Sequence, residues 1–102
     1  PATVLQALQH PLLRRAAAAA RAGRCRREVA LAVRLADGAL VEGVADLAFR
    51  EDEPAPTWTI VDFKTDLAVG GRIDEYRRQL GAYAEAVARA TGLPTRAAVL
   101  QV

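Results

Sequence analysis

The chain contains a single lysine, Lys64, which stands two positions after Asp62 in an apolar segment. A second aspartate, Asp46, lies sixteen residues before Asp62 in a similar apolar segment. The other thirteen basic residues are all arginine, so lysine is the exception at this position. Burying charged side chains is unfavourable unless they are paired or have a function. Two carboxylates and one lysine at this spacing indicate a metal-dependent site that hydrolyses phosphodiesters.

Strand geometry predicts how these side chains meet. Residues two positions apart on a strand point to the same face, so Asp62 and Lys64 should project together. If the strands of Asp46 and Asp62 are neighbours, the two carboxylates can converge, and Glu28 on a third strand is a further candidate ligand. By the same rule, Asp46 should share its face with the other even-numbered residues of its strand, Glu42, Val44 and Ala48.

The carboxylates themselves predict the cofactor. Carboxylates placed close together raise one another's pKa values unless a cation lies between them, and oxygen ligands of this type favour Mg²⁺ or Mn²⁺ over zinc. Lys64 would orient the attacking water or help to deprotonate it, because a compact ammonium titrates when desolvated. The alternative is a plain ion pair between Asp62 and Lys64 on an exposed strand, worth about 0–1 kcal/mol. The apolar neighbours Trp58 and Ile60 argue against an exposed strand.

Periodicity and turn residues predict six elements that position these groups. Pro11 and Gly23 bound a first helix, Asp37 and Gly38 indicate a two-residue hairpin turn, and Gly70-Gly71 precedes a second helix. The predicted elements are a helix over 12–22, strands over 28–35, 40–49 and 58–64, the second helix, and a strand over 95–102. An exposed loop is expected over 50–57. The buried stripe of the second helix is Ile73, Tyr76, Leu80, Tyr83 and Val87.

Three segments resemble the signature motifs of the RecB-like nucleases of the PD-(D/E)xK superfamily. They are Gly-Val-Ala-Asp at 43–46, Val-Asp-Phe-Lys-Thr-Asp at 61–66 and Gln-Leu-Gly-Ala-Tyr at 79–83. The resemblance runs from about residue 28 to residue 102. It implies a restriction-endonuclease-like α/β fold with an α-β-β-β-α-β core and a central mixed sheet flanked by helices. This order is the one that periodicity predicts.

The resemblance also implies roles for individual residues. Asp46 and Asp62 would bind the metal together with the backbone carbonyl of Phe63, and Lys64 would be catalytic. Glu28 resembles an acid found in part of the family. In the helix, Gln79 and Tyr83 would border the active site and the DNA path, although ordinary packing explains Tyr83 equally well.

One departure from the family pattern concerns its upstream histidine ligand. His10 is followed by proline and lacks the family's Gly-Thr-x-x-His pattern, so it is interpreted as a helix-entry residue. The counterpart is expected before Pro1, and the chain, which has no methionine, is interpreted as a single nuclease domain cut from a longer protein. The lone Cys25 excludes an iron–sulfur or zinc cluster built within the chain and fits a reducing cytosol.

These features resemble the carboxy-terminal nuclease of AddA- or RecB-type helicase–nucleases, which implies a role in processing DNA double-strand breaks. DNA, helicase domains of the same parent chain and a second helicase–nuclease subunit are the implied partners; no membrane is involved. Residues 1–35 and 76–102 are basic and residues 36–75 acidic, which suits metal binding flanked by phosphate contacts. The alternatives are a nuclease-fold module that only binds DNA or docks a subunit and, less favoured, a stand-alone resolvase or restriction-type enzyme.

Overall fold

A computed structural model describes residues 10–34, 36–64 and 73–101 of the chain. Helices and strands follow one another in the predicted α-β-β-β-α-β order. They are α1 (Pro11–Arg21), β1 (Cys25–Arg34), β2 (Leu40–Glu51), β3 (Thr57–Lys64), α2 (Ile73–Thr91) and β4 (Thr95–Gln101). The Gly70-Gly71 break before α2 lies outside the described residues.

The four strands form one mixed sheet in the order β1-β2-β3-β4. β1, β2 and β3 pair antiparallel, whereas β3 and β4 pair parallel and α2 lies between them in sequence. Helix α1 packs on one face of the sheet, and the buried residues of this layer are Ala16, Ala19, Phe49 and Val61. Helix α2 packs on the other face, where the buried residues are Ala45, Ile60, Leu80, Tyr83 and Val87. The restriction-endonuclease-like α/β fold expected from the sequence is confirmed.

Helix α1 begins and ends within one residue of the predicted range, between the expected Pro11 and Gly23. His10 is the N-cap, and its Nδ1 accepts a hydrogen bond from the Leu12 amide at 3.1 Å, which confirms it as a helix-entry residue. Gly23 ends the helix with a φ of 76°, a conformation that glycine adopts without steric cost. Ala16 and Ala19 are buried, and their small side chains allow the helix to lie close to the sheet.

Helix α2 has charges that match its dipole, with Asp74 and Glu75 in its first turn and Arg89 in its last. Three residues of the predicted stripe, Leu80, Tyr83 and Val87, are buried. The side chain of Ile73 lies outside the described residues. In the described part of the chain, no helix is both long and apolar enough to span a membrane.

The hairpin between β1 and β2 is present, but the predicted two-residue turn is wrong. In a two-residue turn Ala36 would pair with Ala39, but neither lies in a strand, and the last pair of the ladder is Arg34 with Leu40. Gly38 has a φ of 88°, whereas the Asp37 side chain instead accepts a hydrogen bond from the Ala39 amide at 2.9 Å. This bond is an Asx turn, in which the aspartate side chain takes the place of a backbone acceptor.

The strands also extend further than predicted. β1 begins at Cys25, three residues early, and β2 continues through Glu51, which pairs with Thr57. The predicted loop over 50–57 is therefore reduced to 52–56. Additional pairs at this end of the hairpin satisfy backbone groups that a loop would leave to solvent.

The alternation of β1 and β2 reverses at the Glu28–Asp46 position. Glu28 has a φ of 51°, and its pair with Asp46 is missing from an otherwise continuous ladder. Before Asp46, the inward residues of β2 pack toward α2, and these are Val41 and Ala45. After Asp46, the odd-numbered residues pack toward α1, and these are Leu47 and Phe49. Strand alternation therefore holds on each side of this irregularity but not across it.

The predicted set of residues sharing a face with Asp46 is consequently wrong for Ala48. Ala48 is buried opposite Ile60, on the α2 side of the sheet. Val44, which precedes the α2-facing Ala45, is 55% exposed. Asp46 stands at the reversal itself, so the regular alternation rule does not determine its direction.

Gly43 lies where α2 approaches β2 most closely. A Cβ on Gly43 would overlap the hydroxyl of Tyr83 and lie 2.8 Å from its Cζ. Tyr83 is only 2% exposed, so its ring has little room to move. The motif glycine therefore sets the spacing between the helix and the strand that carries Asp46.

Gly43→Ala is expected to lower the free energy of unfolding by about 1–3 kcal/mol, because the added methyl overpacks this contact. Urea denaturation monitored by circular dichroism measures the change. Gly81→Ala is the matched control, since a Cβ there meets nothing within 4 Å and alanine favours a helix. Equal stability of both variants would contradict the contact.

Candidate active site

Asp62 and Lys64 project from the same face of β3, as predicted. The Lys64 Nζ lies 2.9 Å from the Asp62 Oδ2. Asp62 is 8% exposed and Ile60 and Val61 beside it are fully buried. The pair is therefore not an ion pair on an exposed strand, which was the alternative interpretation. A buried carboxylate of this kind must be compensated by its neighbours.

Asp46 reaches the same place from the neighbouring strand. The backbone pairing of β2 with β3 ends at Leu47 and Val61. Beyond that point the Asp46 Oδ2 accepts a hydrogen bond from the Phe63 amide at 2.7 Å, so a side chain takes the place of the next backbone acceptor. Asp46 also lies close enough to Asp62 for its negative charge to raise the pKa of the Asp62 carboxyl. The predicted convergence of the two carboxyl groups is present.

The environment of Asp62 disfavours its ionised form. Burial raises the pKa of the Asp62 carboxyl, and the negative charge of Asp46 raises it further, against the opposing effect of Lys64. A cation placed between the two carboxyl groups would relieve this effect.

The environment of Lys64 favours its charged form. The hydrogen bond to Asp62 raises the pKa of the Lys64 ammonium, and burial opposes this only in part. Both predicted roles of Lys64, orienting the attacking water and helping to deprotonate it, stay predictions.

The donor set at this point fits a hard divalent cation. Asp46 and Asp62 supply carboxylate oxygens from two strands, which suits Mg²⁺ or Mn²⁺ better than zinc. Within residues 10–34, 36–64 and 73–101, no three His, Cys, Asp or Glu side chains lie close enough to hold an ion together. Glu28 is exposed, and its role as a third ligand stays a prediction, as does that of the Phe63 carbonyl.

Gln79 and Tyr83 form one unit on the inner side of α2. The Gln79 Nε2 donates a hydrogen bond to the Tyr83 hydroxyl at 2.9 Å. The Tyr83 ring belongs to the buried core, in agreement with the packing interpretation. Gln79 is half-buried and lines a groove together with Tyr76 and Val41. Contact of Gln79 or Tyr83 with a substrate stays a prediction.

A second groove, of about 690 Å³, leads to Asp46 on the α1 side of the sheet. Its polar lining includes Arg27, Glu28 and Asp46. Its apolar walls include Leu13, Leu47 and Phe63. Arg27 therefore places a positive charge in the groove that Asp46 also lines.

Sequence reasoning missed the contact between Tyr76 and Lys64. The Lys64 Nζ lies 4.7 Å from the centre of the Tyr76 ring. The stripe pattern assigned Tyr76 to packing only. A side-chain contact between a helix and a strand depends on their relative placement, which periodicity does not determine. The one sequence feature that could have indicated this contact is the position of Tyr76, an aromatic residue near the start of the helix that follows Lys64.

Asp62→Asn is expected to raise the free energy of unfolding at neutral pH in metal-free buffer, because it removes an unfavourable buried charge. Since the folded pKa of Asp62 is raised, wild-type stability should fall relative to the variant as pH rises from the ordinary aspartate pKa through the folded pKa. Urea melts across pH measure this gap. A gap that stays constant or narrows with rising pH, or one that Glu85→Gln reproduces, would contradict the account.

Comparison with known proteins gives one match. The family model of the PD-(D/E)XK nuclease superfamily matches residues 2–102. No curated protein and no solved structure matches the chain. The superfamily is named for two acids and a lysine, the residue types that converge here as Asp46, Asp62 and Lys64. With this match over almost its entire length, the chain belongs to the PD-(D/E)XK nuclease superfamily.

Proposed function

We propose that this chain is a nuclease domain that hydrolyses DNA phosphodiesters with Mg²⁺ or Mn²⁺ as cofactor. The observation that carries the proposal is the buried meeting point of Asp46, Asp62 and Lys64 at the end of β3. Superfamily membership supports the same chemistry, because divalent metals are typical of these nucleases.

Each residue of the site has a distinct role in this proposal. Asp46 and Asp62 hold the cation, with the Phe63 carbonyl as a further ligand. The Phe63 amide keeps Asp46 in position through its 2.7 Å hydrogen bond. When bound, a divalent ion lowers the pKa of a coordinated water and stabilises negative charge on the phosphate. Lys64 stays protonated and donates hydrogen bonds to the water or to a phosphate oxygen.

In this proposal the DNA backbone lies in the α1-side groove that Asp46 lines, whereas Lys64 contacts the site from the α2 side. Arg27 lines this groove beside Asp46 and is exposed, which places a guanidinium where a phosphate would pass. Arg15 of α1 is instead engaged by Glu51, and Arg24 lies 3.6 Å from Asp52. We therefore assign the phosphate contact to Arg27.

The resemblance to RecB-like nucleases supports a more specific context. The Gln-x-x-x-Tyr unit of α2 favours the carboxy-terminal nuclease of an AddA- or RecB-type helicase–nuclease, with residues 1–102 as one domain of that larger protein. In this proposal the nuclease domain acts as an exonuclease during double-strand-break repair in the cytoplasm. Helicase domains of the same chain, and a second subunit, deliver the DNA to its active site.

Asp62→Ala and Lys64→Ala are each expected to lower the rate of DNA cleavage by at least about 10²-fold, the typical cost of losing a preorganised electrostatic group. Cleavage of end-labelled single- and double-stranded DNA with Mg²⁺, Mn²⁺ or EDTA measures the rates. Glu85→Ala is the control, since it removes an exposed carboxylate that pairs with Arg89. Circular dichroism confirms that each variant is folded.

Near-normal cleavage by either site variant would contradict the assignment. Metal-dependent cleavage by the wild type that the control retains would support it. DNA binding without cleavage in any metal would favour the alternative, a nuclease-fold module that binds DNA or docks a subunit.

Arg27→Gln is expected to weaken DNA binding and to reduce the slope of log affinity against log salt concentration by about 1, because one phosphate contact is lost. Fluorescence anisotropy with labelled DNA at several salt concentrations measures both. Arg89→Gln is the matched control, because it removes the same charge from the far end of α2. An equal effect of the two substitutions would contradict a specific contact at Arg27.

A further inference from the structure

The Lys64 ammonium lies between two different groups. The Asp62 Oδ2 lies 2.9 Å from it, and the centre of the Tyr76 ring lies 4.7 Å from it. The Lys64 side chain is 26% exposed, so it is only partly open to water. An ammonium within about 6 Å of an aromatic ring centre is attracted by the negative face of the ring.

Tyr76 and Asp62 hold Lys64 in different ways. Asp62 attracts the ammonium through its negative charge, and the same charge is needed to bind a metal ion. The Tyr76 ring attracts the ammonium through its quadrupole, which does not compete with carboxylates for a hydrated divalent cation. When a bound cation neutralises the charge of Asp62, the Tyr76 ring still attracts the Lys64 ammonium.

The placement of Tyr76 suits this role better than simple packing. The side chain is half-buried and lies one turn before Leu80, where the buried stripe runs into the core. The close contact of Gly43 with Tyr83 fixes the height of α2 above the sheet. The ring of Tyr76 is therefore carried on a rigid element, as positioning groups require.

We propose that Tyr76 is a positioning residue whose ring keeps the Lys64 ammonium at the carboxyl pair after a divalent cation has bound. The inference rests on the proposed nuclease function and adds a residue to it. Tyr76 acts through Lys64. It is required for the orientation of the ammonium toward the phosphate.

The single lysine makes this contact directly observable. In the chain labelled with ¹³C-lysine, one set of side-chain signals reports on Lys64. The Hε protons should be shifted upfield by the ring current in the wild type and in Tyr76→Phe, with and without saturating Mg²⁺. In Tyr76→Leu, which keeps an apolar side chain but has no ring, this upfield shift should be absent with and without Mg²⁺. Unshifted wild-type signals in Mg²⁺ would overturn the proposal.

Steady-state kinetics test the consequence for cleavage. Tyr76→Leu should lower kcat about tenfold with little change in KM, and Tyr76→Phe should keep kcat within about twofold of the wild type. Wild-type kcat in Tyr76→Leu, or an equal loss in Tyr76→Phe, would overturn the proposal.

The nuclease site and the role of Tyr76 are tested independently. If Asp62→Ala abolishes cleavage while Tyr76→Leu cleaves normally, only the role of Tyr76 is wrong. If Asp62→Ala cleaves normally, the nuclease site is wrong. If the wild type does not cleave, the lysine signals alone decide whether Tyr76 holds Lys64, and shifted signals in Mg²⁺ support that it does.

Discussion

The hydrogen bond from the Phe63 amide to the Asp46 carboxylate holds the candidate site together. Backbone pairing between β2 and β3 stops at Leu47 and Val61, and this bond joins the strands just beyond that point. A part-buried amide needs an acceptor, and leaving it unpaired costs about 1–3 kcal/mol. The contact that satisfies the backbone is therefore the contact that places Asp46 beside Asp62.

The surrounding fold holds two carboxyl groups close together although their negative charges repel each other. Burial and the proximity of Asp46 raise the pKa of Asp62, which means that its charge opposes folding. The apolar layers on both faces of the sheet offset this cost, with Phe49, Ile60 and Val61 fully buried. Such a trade between stability and a reactive site is common in proteins.

The backbone irregularity at Glu28 is also a local cost to stability. A non-glycine residue at a φ of 51° costs about 1–3 kcal/mol and persists only where its surroundings determine it. Here the missing Glu28–Asp46 pair leaves Asp46 free of the regular ladder.

Much of the fold could be predicted from the sequence because its signals are local. Alternation, proline and glycine positions and the helical stripe identify each element, and the stripe residues Leu80, Tyr83 and Val87 are buried as expected. The convergence of Asp46 and Asp62 followed from the expectation that their strands are neighbours.

The errors arose where a local rule met a non-local contact. The alternation rule assumes a regular strand. It failed after Asp46, where the side chains of odd-numbered residues change from one face of the sheet to the other. The turn at Asp37 is not of the two-residue type, and its side chain accepts a hydrogen bond from the Ala39 amide. The approach of Tyr76 to Lys64 depends on how α2 lies over β3, and no spacing in the sequence contains that information.

The most direct test of the central claim is the anomalous diffraction of a crystal soaked in Mn²⁺. The account predicts one anomalous peak bonded to carboxylate oxygens of both Asp46 and Asp62, with the Lys64 ammonium alongside. A peak bonded to neither aspartate, or none at saturating Mn²⁺, would contradict it.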